Sequence, residues 1–256
     1  MASTASKKRA AGEHNDNDSP AKKVKREMFL ESLGAEIVDI HVGQGPQQKH
    51  FKVHKALLCS KIPYFDKMFN SDFREGKENV AKLPEDDPES FDILLEWVYT
   101  GSLPRFRYTK QEWGVDKNFN HYRLFDLVDK ICLKGLKDQI VGNFIDTSDA
   151  CNVLPGFGDI ADIVNKLPET SSIRQYHVLS LLYIIHGLPR TDVHLKVWPT
   201  RGLSDLLVGH PKVALAYAEA VRNLPLGSVA TDPRKMPRCN FHEHGESEKC
   251  PAKSTD

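Results

Sequence analysis

The stretch Phe51-Lys52-Val53-His54-Lys55-Ala56-Leu57-Leu58 changes its period halfway along. Phe51 and Val53 alternate with a lysine, as on a half-buried strand, and Ala56-Leu57-Leu58 then begins a short buried helix. Upstream, Val38, Ile40 and Val42 alternate with Asp39 and His41, which predicts a strand over 37–42. Gly43-Gln44-Gly45-Pro46 supplies a turn, so the two strands are expected to pair as a hairpin. Downstream of Pro63, Phe65, Met68 and Phe69 stand at i, i+3 and i+4, a single apolar helical stripe. Val80 and Leu83 fall in a short strand-like piece. Asp87-Pro88-Glu89 then opens a helix, with an N-cap carboxylate, proline in the first helical position and an acid in the first turn. Phe91, Leu94, Leu95 and Val98 keep helical spacing until Gly101 stops it.

Residues 103–121 are polar with scattered aromatics (Phe106, Tyr108, Trp113, Phe119), and read as a long loop with room for one edge strand. Helical period returns from Tyr122, with Leu124, Val128 and Ile131 on one face. After Gly135 it continues in Leu136, Ile140, Val141 and Phe144. Further on, Asp159–Val164 is a short helical piece, and Ile173, Tyr176, Leu179 and Tyr183 recur about once per turn beside Leu182. Pro211 opens a helix carrying Val213, Tyr217, Val221 and Leu224. These stripes read as core.

The chain has 256 residues, 40% hydrophobic and 27% charged, the composition of an ordinary globular protein with a core of its own. The most apolar stretch, 178–185, is far short of the ~20 residues a spanning helix needs. The basic, polar N-terminus has no apolar segment of the secretory kind. Five cysteines at scattered spacing suit a reducing compartment better than a disulfide framework. Formal net charge is zero, but seven of the 35 Lys/Arg lie in 1–26, on a mildly acidic remainder that is a poor match for nucleic acid. Residues 1–27, with little to bury, read as a disordered basic tail. Its clusters Lys7-Lys8-Arg9 and Lys22-Lys23-Val24-Lys25-Arg26 have the form of a bipartite nuclear import signal; the alternative is a solvated charged tail.

The ordered residues, from Val38-Asp39-Ile40 through Val53-His54-Lys55-Ala56-Leu57-Leu58-Cys59-Ser60, Pro63-Tyr64-Phe65, Met68-Phe69 and Leu94-Leu95-Glu96-Trp97-Val98-Tyr99-Thr100-Gly101, resemble the BTB/POZ family. The match covers about 36–145, and the layout with a helical C-terminal half resembles fungal members of that family. The 103–121 loop is longer than the family's compact version, and Val128 stands where the family usually has alanine. The resemblance implies an α+β fold: a small β-sheet flanked by a cluster of α-helices, followed by a mainly α-helical region. The expected division is 1–27 tail, 36–145 BTB/POZ domain, 146–233 helical domain and 234–256 Cys/His tail.

Family members pair with other polypeptides rather than catalyse. The resemblance implies a dimer, with itself or with other BTB proteins, and a charged pocket whose residues match Asp39 and Lys55. Lys55 is the expected partner of Asp39; the alternative is that Asp39 caps the helix and Lys55 is solvated. His54 reads as a hydrogen-bonded residue at a helix start. The family's hydrophobic-x-Glu element, presented to a cullin scaffold of ubiquitin ligases, matches Phe73 and Glu75; the competing reading folds Phe73 back onto its own core.

Cys239, His242, His244 and Cys250 give C-x2-H-x-H-x5-C, the ligand types of a structural zinc site, against the alternative of a loose polar tail. An extended H-x-H can chelate because i and i+2 share a strand face. No phosphate loop, G-x-S-x-G or H-E-x-x-H is present, and Gly156-Phe157-Gly158 reads as a turn. The sequence therefore points to a non-enzymatic interaction adaptor, nuclear and also cytoplasmic, with an unnamed client, no membrane and nucleic acid disfavoured. As a ligase adaptor it would meet a cullin scaffold; the alternative is a transcription or chromatin regulator that uses the BTB domain as an assembly platform.

Overall fold

The computed structural model describes Met1 and residues 29–111, 114–117, 119–245 and 248–250. The basic clusters at Lys7–Arg9 and Lys22–Arg26 lie outside the described residues, as do 251–256.

A first helix, α1 (Phe29–Leu33), precedes β1 (Ile37–Val42), which lies at the centre of a three-stranded sheet ordered β2-β1-β3. The predicted alternation is realised: Val38, Ile40 and Val42 are fully buried, while Asp39 and His41 occupy the opposite face, half-buried. The connection to β2 (Lys49–His54) uses Gly43 and Gly45 at φ 83° and 58°, where a side chain would be strained. β2 returns antiparallel with Ile40 opposite Phe51. Because β3 (Val80–Leu83) runs parallel to β1, the chain must cross over, and it does so through α2 (Lys55–Lys61), α3 (Pro63–Phe69) and α4 (Arg74–Glu78). Ile62 is extended because Pro63 follows it, so α2 ends there and α3 starts afresh. Of the predicted Ala56–Leu58 segment only Leu58 is fully buried. Ile62, Phe65 and Phe69 join it under the sheet.

Helix α5 (Pro88–Thr100) starts as expected: the Asp87 carboxylate accepts from the Ser90 N–H at 3.0 Å and from the Ser90 hydroxyl at 2.8 Å. It ends at Gly101, φ 75°, whose N–H donates to the Trp97 carbonyl at 2.8 Å. The 103–121 segment differs from the expected loop with one edge strand. It contains a hairpin of its own, β4 (Tyr108–Gln111) and β5 (Gly114–Lys117). Asn120 then caps α6 (His121–Lys130), accepting from the N–H groups of Tyr122 and Arg123. Helix α7 (Lys134–Ala150) follows, and Val128 packs fully buried with Leu124 in the main core.

The later helices are α8 (Phe157–Lys166), α9 (Ser172–His186), α10 (Asp192–Val197), α11 (Thr200–Gly209) and α12 (Pro211–Arg222). Gly156 caps α8 and Phe157-Gly158 lie inside it, so that tripeptide opens a helix rather than making a turn. A second, smaller core gathers Ile160, Val164, Leu181, Leu206 and Val213. Helix α9 joins the two cores: Ile173 and Tyr176 belong to the first, Leu181 to the second. Leu224 lies beyond the end of α12, and the buried part of that helix is Val213 and Ala216. Helix α10, unmarked in the sequence pattern, buries no residue. Among the described residues no helix is long and apolar enough to cross a membrane.

Candidate functional site

On the outer face of the sheet, Asp39 and Lys55 do not meet. Hairpin register places Lys52 opposite Asp39 and His50 on the neighbouring diagonal, so the Asp39 carboxylate accepts from His50 Nε2 at 2.5 Å. The His50 ring stacks on His41 with centroids 4.5 Å apart. Lys55 is engaged elsewhere: its ammonium donates to Glu36 Oε1 at 3.2 Å and to Asn79 Oδ1 at 3.1 Å. Asn79 closes the triangle by donating to Glu36 at 2.8 Å, from a left-handed backbone at φ 52° that ends α4. The Asn79 amide, then the Lys55 ammonium, hold the Glu36 carboxyl below the usual carboxylate range. The Asp39–Lys55 pairing expected from the sequence is thus replaced by Asp39–His50 and Glu36–Asn79–Lys55. His54 is the N-cap residue of α2, and its ring Nδ1 lies 2.8 Å from the Tyr99 hydroxyl, which also accepts the His54 N–H.

Phe73 sits at the N-cap of α4, 70% exposed, so it does not fold back onto the core. Glu75 is in the first turn of the same helix, half-buried. Between them Arg74 reaches forward and donates to Glu78 at 2.9 Å. The result is an aromatic side chain in water with a carboxylate two residues away, on a short helix at the sheet's crossover.

The Cys/His segment packs against α7 and α9. Phe241 is fully buried with its ring 5.6 Å from that of Tyr176. Asp232 and Arg234 form a buried bidentate pair, and Arg234 also donates to Asn152 Oδ1 at 3.0 Å and to the Val153 carbonyl. Arg238 donates to Asp146 at 2.6 Å, and Lys235 pairs with Asp149 at 2.6 Å. Farther along, the buried Asp138 carboxylate accepts the N–H groups of Glu243 at 2.7 Å and His244 at 3.2 Å. Lys137 bridges Asp129 and Glu243 at 2.5 and 2.6 Å.

Held this way, one ligand atom from each of Cys239, His242, His244 and Cys250 lies within 4.8 Å of the others. Burial pushes the His242 imidazole below its ordinary value. His244 is pushed the other way, first by the Gly245 carbonyl that accepts from its Nδ1. Sequence spacing marked these four residues together but missed Asp138, whose position inside a helical stripe carried no sign of the segment it would hold.

The front of the chain is thus a three-stranded sheet wrapped by short helices, with its polar strand face and the exposed Phe73 turned outward. The sequence profile of the BTB/POZ domain matches residues 32–139. TD and POZ domain-containing protein 4 of Mus musculus is 28% identical over 78 residues, 30% of this chain and 21% of that protein. The match therefore spans about a fifth of the mouse relative. BTB/POZ domains commonly dimerise and bind other proteins, and they are not typically enzymes.

Proposed function

We propose that this chain is an adaptor that self-associates through its BTB/POZ domain, presents Phe73 and Glu75 to a cullin-type ligase scaffold, and carries a client on its helical region. The observation that supports the scaffold contact is the 70% exposure of Phe73 at the start of α4, with Glu75 two residues on. An exposed aromatic inserts into an apolar pocket, and a carboxylate beside it fixes register by a charge-assisted hydrogen bond. For the client, α10 offers Val193 and Val197, one turn apart and 67% and 57% exposed. Co-purification of a cullin with the tagged chain, lost in a Phe73→Ala/Glu75→Ala variant that still dimerises, is the expected result. A wild-type chain that captures no cullin removes the ligase reading.

The second reading is a nuclear transcription or chromatin regulator without ligase activity. The basic clusters at Lys7-Lys8-Arg9 and Lys22–Arg26 favour it. It requires nuclear fluorescence of a tagged chain that becomes cytoplasmic when Lys22, Lys23, Lys25 and Arg26 are changed to alanine.

A further inference from the structure

We propose that Cys239, His242, His244 and Cys250 hold one zinc ion in a closed structural site that ties residues 239–250 into one knuckle beside α7. This does not depend on the adaptor reading. Two thiolates and two imidazoles are a donor set that tetrahedral Zn²⁺ takes, and their ligand atoms already converge within 4.8 Å. Cys250 Sγ stands 3.4 Å from His242 Nδ1. Zinc–sulfur and zinc–nitrogen bonds of about 2.3 and 2.0 Å at a tetrahedral angle require a separation of roughly 3.5 Å.

His244 is set up in the correct tautomer. A carbonyl can only accept, so the 3.0 Å contact to the Gly245 oxygen puts the ring proton on Nδ1 and leaves the Nε2 lone pair for a metal. That Nε2 is shielded from solvent although the ring as a whole is only half-buried. His242 is extended at φ −110°, ψ 153°, which lets the two rings of H-x-H fall on the same side, 5.3 Å apart. Cys239 comes from the 3₁₀ turn Arg238–Phe241 immediately before them.

Two contacts outside the cluster also hold this backbone. Phe241 is anchored in the core, and Asp138 grips the N–H groups of both Glu243 and His244. Asp138 therefore acts as a positioning residue for the His244 ligand. Four protein ligands fill a tetrahedral shell and leave no place for a reactive water, so the site is structural rather than hydrolytic.

The test uses the full chain, reduced, stripped by chelator and titrated with Co²⁺ as a coloured substitute for zinc. Saturation at one equivalent is expected, with the strong visible bands of a tetrahedral ion and thiolate-to-cobalt charge transfer, both abolished by one equivalent of Zn²⁺. A Cys239→Ser/Cys250→Ser variant should lose the charge-transfer bands, and a Cys132→Ser/Cys151→Ser variant should keep them. Asp138→Asn should bind zinc about 10–100-fold more weakly. Absence of saturable binding in the reduced chain, the pale spectrum of an octahedral ion, or charge transfer that survives in the Cys239/Cys250 variant would overturn the site. Zinc should also protect residues 237–250 from proteolysis; equal cleavage with and without metal would overturn the structural role.

Discussion

Helix α5 holds Phe91, Leu94 and Val98 at 1% exposure or less, whereas α10 leaves Val193, Leu195 and Val197 at 67%, 48% and 57%. Both segments are rich in branched apolar residues, but only α5 has a sheet and two further helices to close against. The front of the molecule converts its apolar residues into a core. The region from α8 onward supports a smaller core and keeps part of its apolar surface in water. A residue's hydrophobicity therefore says less here than whether a partner element reaches it.

That contrast can be broken most directly in the main core. Phe91→Ala is expected to cost about 3–5 kcal/mol in urea unfolding, and Val193→Ser less than ~0.5 kcal/mol. Similar costs at the two positions would erase the difference between the regions. Next comes Arg234, which pairs with Asp232 beside it and ties the C-terminal segment to Asn152 and Val153, just past α7. Arg234→Ala strands the Asp232 carboxylate, 13% exposed, and is expected to cost about 3 kcal/mol, measured by the same unfolding curve. A cost near zero would mean that this segment adds nothing to the front unit.

The smallest effect sharpens the comparison at one helix start. Burial works against the charge of Asp87, but the Ser90 N–H and hydroxyl and the Arg123 guanidinium outweigh it and hold its pKa below the usual carboxylate value. A lowered folded pKa adds stability above the unfolded value of about 3.9, and that contribution is lost as pH falls through the folded one. Asp87→Ala should therefore cost about 1 kcal/mol at pH 7, with the gap from wild type narrowing in acid. The cost of removing the Thr191 cap of α10 should not change with pH, because a hydroxyl caps that helix by accepting from the His194 N–H.

Where one face of an element is buried, the sequence pattern was sufficient. Val38, Ile40 and Val42 located β1 because burial alternates with the pleat, and Asp87-Pro88 with Gly101 marked both ends of α5. Helix α10 left no mark because it buries none of its residues, so its apolar side chains follow no buried face. The partner of Asp39 was illegible for another reason. It depends on the register of β2 against β1, and on Glu36 and Asn79 having already engaged Lys55. The four Cys/His residues were visible as a spacing, but their convergence depends on Asp138, whose contact with Glu243 spans 105 residues of chain.

That last span bears on the order of events during synthesis. Phe241 belongs to the same core as Val38 and Phe65, through Tyr176. As the ribosome releases the chain from its N-terminus, the sheet and α7 emerge long before the aromatic plug that completes their packing. The nascent domain can therefore complete its apolar interior only once residue 241 has been released.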